Sequence, residues 1–332
     1  MELNSMGKAG ILQRLRDGVV IGDGGYLLEL EKRGYVKAGP FTPEVAVEHP
    51  EALRQLHREF LRAGSDVLQT CTFYASEEKL RSAGYADQVE RINRAAVQIA
   101  KEVAADQALV AGNLSLTWQY KPDDRASSSR VLDLFRQQVS LQVEEGVDFF
   151  IAETFHYLGE ALVALQAIKE AGYPAMITFN FKQPAVSRDG FSPADCAKKL
   201  EDAGADIVGT NCGRDPDHML PVVEEMRKAA GCHIAVQAAG FRCSDEIPYF
   251  MGLPQFPLEL DPLQLTRIEM ADYARRARDI GANYIGACCG VTAAHMRAMA
   301  EALGRTTMAS DKTADLDIHP ILGPEKVGQA AR

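Results

Sequence analysis

The chain has 332 residues, 46% of them hydrophobic and 25% charged, which is enough apolar material for one deep core beneath a soluble surface. Its formal net charge of -10, without a basic stripe or a Lys/Arg block, argues against a nucleic-acid or anionic-membrane partner, and no long apolar span or signal-peptide core is present. An odd count of seven cysteines argues against a disulfide framework and predicts reduced thiols in a cytoplasmic protein.

In chain order, short apolar runs alternate with longer stretches of helical spacing. Strands are predicted at residues 19–23, 66–73, 108–113, 147–153, 175–180, 206–212, 233–237 and 284–289. Helices are predicted at 50–63, 88–104, 133–145, 158–171, 193–203, 216–230, 266–280 and 293–303. Several helices run into the next strand through a glycine, as at Gly64, Gly146, Gly172, Gly204 and Gly281, the residue that most readily ends a helix in the left-handed conformation. Repeated βα units fit either a doubly wound sheet or a barrel. Eight such units without a Gly-x-Gly-x-x-Gly fingerprint predict an α/β fold of the (β/α)8 TIM type. One domain is predicted over residues 1–304, with residues 305–332 a polar tail or arm. The Pro- and aromatic-rich stretch 240–262 reads as a loop over the barrel mouth.

In such a barrel the chemistry sits at the C-terminal ends of the strands. The first strand ends Gly22-Asp23-Gly24-Gly25, the second Thr72-Phe73-Tyr74 and the fourth Ala152-Glu153-Thr154, while the sixth and eighth end at Cys212 and at Cys288-Cys289. Three thiolates converging on one point suit a zinc ion with three protein ligands and one open position, the arrangement of a catalytic rather than a structural site. Successive strand side chains point to opposite faces, so Cys288 and Cys289 reach one ion only if the strand ends or bends there, a freedom that Gly286 and Gly290 supply. The alternative leaves one of the two thiols in the core and the other against a helix. Cys71, Cys196, Cys232 and Cys243 read as inert core, and His49, His57 and His156 as surface or loop residues.

These strand ends, together with Glu31-Lys32-Arg33-Gly34-Tyr35-Val36-Lys37-Ala38-Gly39-Pro40 and the run from His49 to Phe60, resemble the betaine branch of the homocysteine S-methyltransferase family over most of the chain. The resemblance implies a zinc-dependent barrel that methylates homocysteine to methionine. It implies that Cys212, Cys288 and Cys289 hold the Zn2+, that Asp23 and Glu153 hold the homocysteine ammonium, and that Gly24 and Gly25 let backbone N–H groups approach its carboxylate. The chain departs from the betaine enzymes in three places. Phe41 stands where they carry Trp, Thr154 where they carry Tyr, and most of their C-terminal extension is absent, which leaves a homo-oligomer open.

Zinc binding deprotonates a thiol outright, so the methyl-transfer step needs no separate general base. The methyl donor is expected to be an onium cation, which cannot be hydrogen-bonded through its charged centre and is therefore held by ring faces. Tyr74 and Phe41 supply two walls, and Trp118 or Tyr120 closes the cage from a new direction. Betaine is the leading donor, giving dimethylglycine beside methionine. Two other readings stay open: a sulfonium donor such as S-methylmethionine or dimethylsulfoniopropionate, and a non-catalytic zinc or redox-sensing thiol protein.

Overall fold

A computed structural model describes residues 8–37 and 42–312, so Phe41 and residues 313–332 lie outside the described residues. Its strands are β1 (Val20–Ile21), β2 (Val67–Gln69), β3 (Leu109–Ser115), β4 (Phe149–Phe155), β5 (Ala175–Phe179), β6 (Ile207–Asn211), β7 (His233–Ala238) and β8 (Tyr284–Ala287). Its helices are α1 (Ile11–Asp17), α2 (Leu27–Lys32), α3 (Val45–Glu48), α4 (Pro50–Ala63), α5 (Glu77–Ser82), α6 (Val89–Ala104), α7 (Arg125–Glu145), α8 (Leu158–Glu170), α9 (Pro193–Asp202), α10 (Pro216–Ala229), α11 (Arg267–Ile280) and α12 (Ala293–Ala302). All paired strands are parallel, and the sheet runs β1-β8-β7-β6-β5-β4-β3-β2. This is the (β/α)8 TIM-type barrel.

The seam between β1 and β2 is closed by Asp66 rather than by a ladder. Its N–H donates to Ile21 O at 2.8 Å, and its Oδ2 accepts from Ile21 N at 2.9 Å. The same device recurs at the feet of two more strands, where Asp148 accepts from Val110 N at 2.7 Å and Asp206 from Ala175 N at 2.8 Å. Each aspartate follows a helix-ending glycine by two residues, so one short pattern both stops the helix and pins the next strand.

Alternation along the strands separates two cores. Val20, Val67, Leu109, Ala111, Phe149, Ile151, Met176, Ile207, Ala235 and Tyr284 cluster with Ile11 and Leu15 of α1, which closes the floor of the barrel. Their neighbours Ile21, Leu68, Val110, Phe150, Ala152, Ile177, Val208, Ile234 and Ile285 belong to the cluster that meets the surrounding helices. The period of two fixes what faces inward higher up. Continuing the inward series past the apolar floor gives Gln69, Asn113, Glu153, Asn211 and Gln237, all buried and all polar.

Residues 240–262 form the expected cover. Phe241, Phe250 and Leu260 cluster with Ala239 and Cys212, and Cys243, Met251, Leu253, Cys288 and Cys289 pack against them. Beyond Gly304, Arg305 still bonds to Val19 O at 2.8 Å, and the Thr307 methyl faces Gly64 so closely that a Cβ there would lie 2.6 Å away. No helix among the described residues is long and apolar enough to cross a membrane.

Candidate functional site

β6 and β8 end where the thiols begin. β8 stops at Ala287, so Cys288 and Cys289 are freed from strand alternation, and Gly290 at φ 82° turns the chain away. Cys212 itself takes the left-handed conformation, φ 58°, which an L residue adopts only at a cost of about 1–2 kcal/mol. The Cys212 and Cys289 sulfurs lie 3.7 Å apart and those of Cys288 and Cys289 4.0 Å apart. Tetrahedral zinc with Zn–S of about 2.3 Å requires sulfurs about 3.8 Å apart, so the triangle fits the ion. All seven cysteines are free thiols, and Cys212, Cys288 and Cys289 form the one such ligand group among the described residues. Hydrogen bonds with the neighbouring thiols pull the Cys212 pKa well down, while the same bonds to Cys212, together with burial, push Cys288 and Cys289 up.

Gly25 backs directly onto this loop: a Cβ would lie 2.7 Å from Cys288 O and 3.2 Å from Cys289 Cα. Only glycine lets the β1 turn and the thiol loop share that space. The Gly25 N–H is itself donated to Val291 O at 3.0 Å, so of the two expected amide donors it is Gly24 that stays available for a ligand carboxylate.

Beside the thiols lie the two expected carboxylates, held by a web of amides. Asp23 Oδ2 accepts from Gln69 N at 2.7 Å and from Tyr26 OH at 2.6 Å. Glu153 Oε1 accepts from Gln69 Nε2 at 2.5 Å and Asn113 Nδ2 at 2.7 Å, and its Oε2 from Asn211 Nδ2 at 2.8 Å. Burial outweighs these bonds and raises Asp23 to about 6 and Glu153 to about 7. Gln69 Oε1 and Asn113 Oδ1 are buried without a hydrogen-bond partner. Two desolvated carboxylates and two orphaned carbonyls make a cluster rich in acceptors, with no protein cation bonded to it among the described residues. Sequence reading missed Gln69, Asn113 and Asn211, although their shared strand parity with Glu153 carried the signal.

Asn211 is fully committed, since its Oδ1 accepts from Thr154 N at 2.9 Å and Thr178 Oγ1 at 2.8 Å, and its Nδ2 also reaches Thr154 Oγ1 at 2.8 Å. Thr154 therefore helps to orient Asn211 toward Glu153.

The aromatic rim forms around Tyr74 and Trp118. Trp118 Nε1 donates to Tyr74 OH at 3.4 Å, and the indole is 50% exposed. Tyr120 turns the other way, its ring 5.6 Å from Tyr157 and its hydroxyl against Gly159. Of the two proposed walls, Trp118 is the one brought to Tyr74. Tyr74 and Trp118, beyond the ends of β2 and β3, have positive φ at 62° and 61°, and Thr154, at 65°, sits at a register shift inside β4.

Two histidines correct the sequence reading. His57 is fully buried, its Nδ1 2.9 Å from Tyr26 OH, because it shares the inner face of α4 with Leu53, Leu56 and Phe60. His156 is buried too, with Nδ1 3.1 Å from Asn180 O and its ring 5.8 Å from that of Trp118. Burial lowers their pKa values to about 3 and about 4, so both are neutral at pH 7. His49 is half-exposed, as expected. Cys71 and Cys196 are buried, whereas Cys232 and Cys243 are only partly so.

A parallel barrel with three thiols at the ends of β6 and β8 and a cluster of buried acceptors beside them defines a (β/α)8 barrel protein whose thiols could hold a metal ion. The homocysteine S-methyltransferase family profile matches residues 20–303, and the chain belongs to that family. It is similar to betaine–homocysteine S-methyltransferase 1 of Bos taurus, with 46% identity covering 94% of this chain and 81% of that protein. It is also similar to an S-methylmethionine–homocysteine S-methyltransferase of Pongo abelii, with 45% identity over 89% of this chain and 82% of that one. Among solved structures, the metallated form of the homocysteine methyltransferase MmuM from Escherichia coli shares the fold, with a TM-score of 0.71, 20% identity, and coverage of 87% of this chain and 98% of that one.

Proposed function

We propose that the protein transfers a methyl group from betaine to the thiol of homocysteine, yielding methionine and dimethylglycine, with one Zn2+ held by Cys212, Cys288 and Cys289. The observation that carries the reading is the thiol triangle standing beside two buried carboxylates that lack a cation. When bound, zinc supplies the Lewis acidity that keeps a coordinated thiol deprotonated at neutral pH.

The chain's own residues do the rest. Asp23 and Glu153, fixed by Gln69, Asn113 and Asn211, take the homocysteine ammonium, and Gly24 N–H faces its carboxylate. That grip sets the sulfur at the thiol triangle and leaves its far side open to the rim. Tyr74 and Trp118 offer ring faces to the donor's onium group. The S–C bond forms as the C–N bond breaks, and the electron pair leaves with nitrogen as a neutral amine. The thiol proton has by then gone to solvent, so neither His57 nor His156 is required as a base. A site built on reduced thiols supports a cytoplasmic setting on this reading.

Since relatives at 46% and 45% identity are named for different donors, the test is a competition. The zinc-loaded protein is given homocysteine with betaine, S-methylmethionine or dimethylsulfoniopropionate, and methionine is measured. Fastest turnover with betaine supports the reading; turnover with a sulfonium donor alone moves the assignment to that class, and none with any donor defeats it.

A further inference from the structure

Two cations stand on the aromatic rim without a role in the chemistry described above. Lys79 of α5 holds its ammonium 4.4 Å from the centroid of the Tyr74 ring and 4.7 Å from that of Trp118. Arg188 sets its guanidinium 5.7 Å from the Trp118 ring and 5.8 Å from that of Tyr157. Its backbone N–H is anchored to His156 O at 2.7 Å. Among the described residues neither side chain forms an ion pair. Glu160 is the carboxylate whose field reaches Lys79, and it is already engaged by Thr117 N at 2.7 Å and Thr117 Oγ1 at 2.6 Å.

A cation seated on these rings repels a second one. A donor that is only an onium would therefore meet like charge at the place that should hold it. A donor carrying a carboxylate a few bonds from its onium reverses the sign, because the acid group pairs with Lys79 while the onium turns toward the rings and the thiols. We propose that Lys79, with Arg188 at its outer edge, forms a carboxylate-recognition subsite that confines the methyl donor to zwitterions and rejects onium compounds lacking an acid group. The inference rests on the methyltransferase reading for the identity of the ligand, and it names residues that hold the far end of the donor. Half-burial agrees with it: lost hydration brings Lys79 down to about 8, and a bound carboxylate would replace that water.

Trp118 is the sole tryptophan of the chain, so its emission reports on this subsite whether or not methyl transfer occurs. The zinc-loaded full chain is titrated with betaine and, separately, with choline, which has the same onium group but no carboxylate. Betaine is expected to change the emission at concentrations where choline does not. Lys79→Met should weaken betaine binding by about tenfold or more, the usual weight of a charge-assisted hydrogen bond, and bring the two ligands closer together. Lys79→Arg should restore discrimination, and Arg188→Gln should lose less than Lys79→Met. Equal binding of choline and betaine by the unaltered protein overturns the proposal. So does unchanged or tighter betaine binding in Lys79→Met, which would make the lysine a competitor for the donor's seat. Selective betaine binding without methionine formation would sink the catalytic reading and leave the subsite; methionine formed equally well from choline would do the reverse.

Discussion

The two sides of the barrel mouth are built differently. On the acceptor side Glu153 and Asn211 are buried and fixed more than once: Glu153 takes three amide bonds from three strands, and Asn211 makes four bonds to three residues. On the donor side Trp118 is half-exposed and tied to Tyr74 by a single long bond, while Arg188 is exposed at the rim. The acceptor side recognises a molecule by satisfying buried groups, so a wrong ligand leaves carbonyls and carboxylates unpaired. The rim recognises by ring faces and charge, which tolerate a change of shape. On the proposed function, acceptor recognition belongs to the first side and donor choice to the second, and relatives of nearly equal similarity are named for different donors.

The comparison breaks most sharply at the thiols. Replacing Cys212, Cys288 or Cys289 with Ala is expected to strip the metal and abolish methyl transfer while the barrel keeps its fold, since its core does not depend on them. Zinc content, activity and circular dichroism check the three parts separately.

Next in size is the acceptor grip. Charge-assisted hydrogen bonds are worth roughly 1.5–3 kcal/mol, so Glu153→Gln should raise the homocysteine Kd roughly tenfold to a hundredfold, measured calorimetrically, and leave donor binding at Trp118 unchanged.

The same carboxylates should cost stability when no amine is bound. Their folded pKa values, about 6 for Asp23 and about 7 for Glu153, stand above the ordinary values of 3.8 and 4.5 for these groups. A raised folded pKa contributes stability that is fully present below the unfolded value and is lost as pH rises through the folded one. The homocysteine-free protein should therefore lose up to about 3 kcal/mol per group, an order-of-magnitude figure, between pH 4 and pH 8. Glu153→Gln should flatten that profile in denaturant titrations, gaining stability at pH 8 as it loses homocysteine binding.

The smallest effects belong to the rim. Tyr74→Ala and Trp118→Ala should each raise the donor's KM several-fold, at about 0.5–2 kcal/mol per ring, without moving that of homocysteine. If only Tyr74→Ala does so, Trp118 is not a wall and the pocket is simply more open.

The longer helices were readable because each shows its period, and the strands because short apolar runs stand between them. α1, α2, α3 and α5 were not, since seven residues or fewer span less than two turns. The first two turns of α7 hid behind the run Ser127-Ser128-Ser129, whose residues have little helix preference, although Asp124 caps it by accepting from Ala126 N and Ser127 N. The predicted strand at 66–73 is β2 of three residues, because the chain bends at once and Thr72 N bonds to Thr70 O at 2.8 Å.

The cysteines and the two carboxylates stood out as chemistry-bearing types at strand ends. Gln69, Asn113 and Asn211 read as ordinary amides until their parity with Glu153 is followed. His57 could have been placed inside from its spacing to Leu53 and Phe60 on α4. The left-handed backbone at Tyr74, Trp118, Thr154 and Cys212 could not, because nothing in those residue types favours a positive φ and the surrounding fold imposes it.

The central claim is that three protein thiols hold one metal and leave a position for the sulfur of homocysteine. Zinc-edge X-ray absorption on the loaded protein, before and after homocysteine is added, tests it directly. The account predicts three sulfur neighbours rising to four, with Zn–S near 2.3 Å throughout. Four sulfurs before homocysteine is added, or three that do not change afterwards, would contradict it.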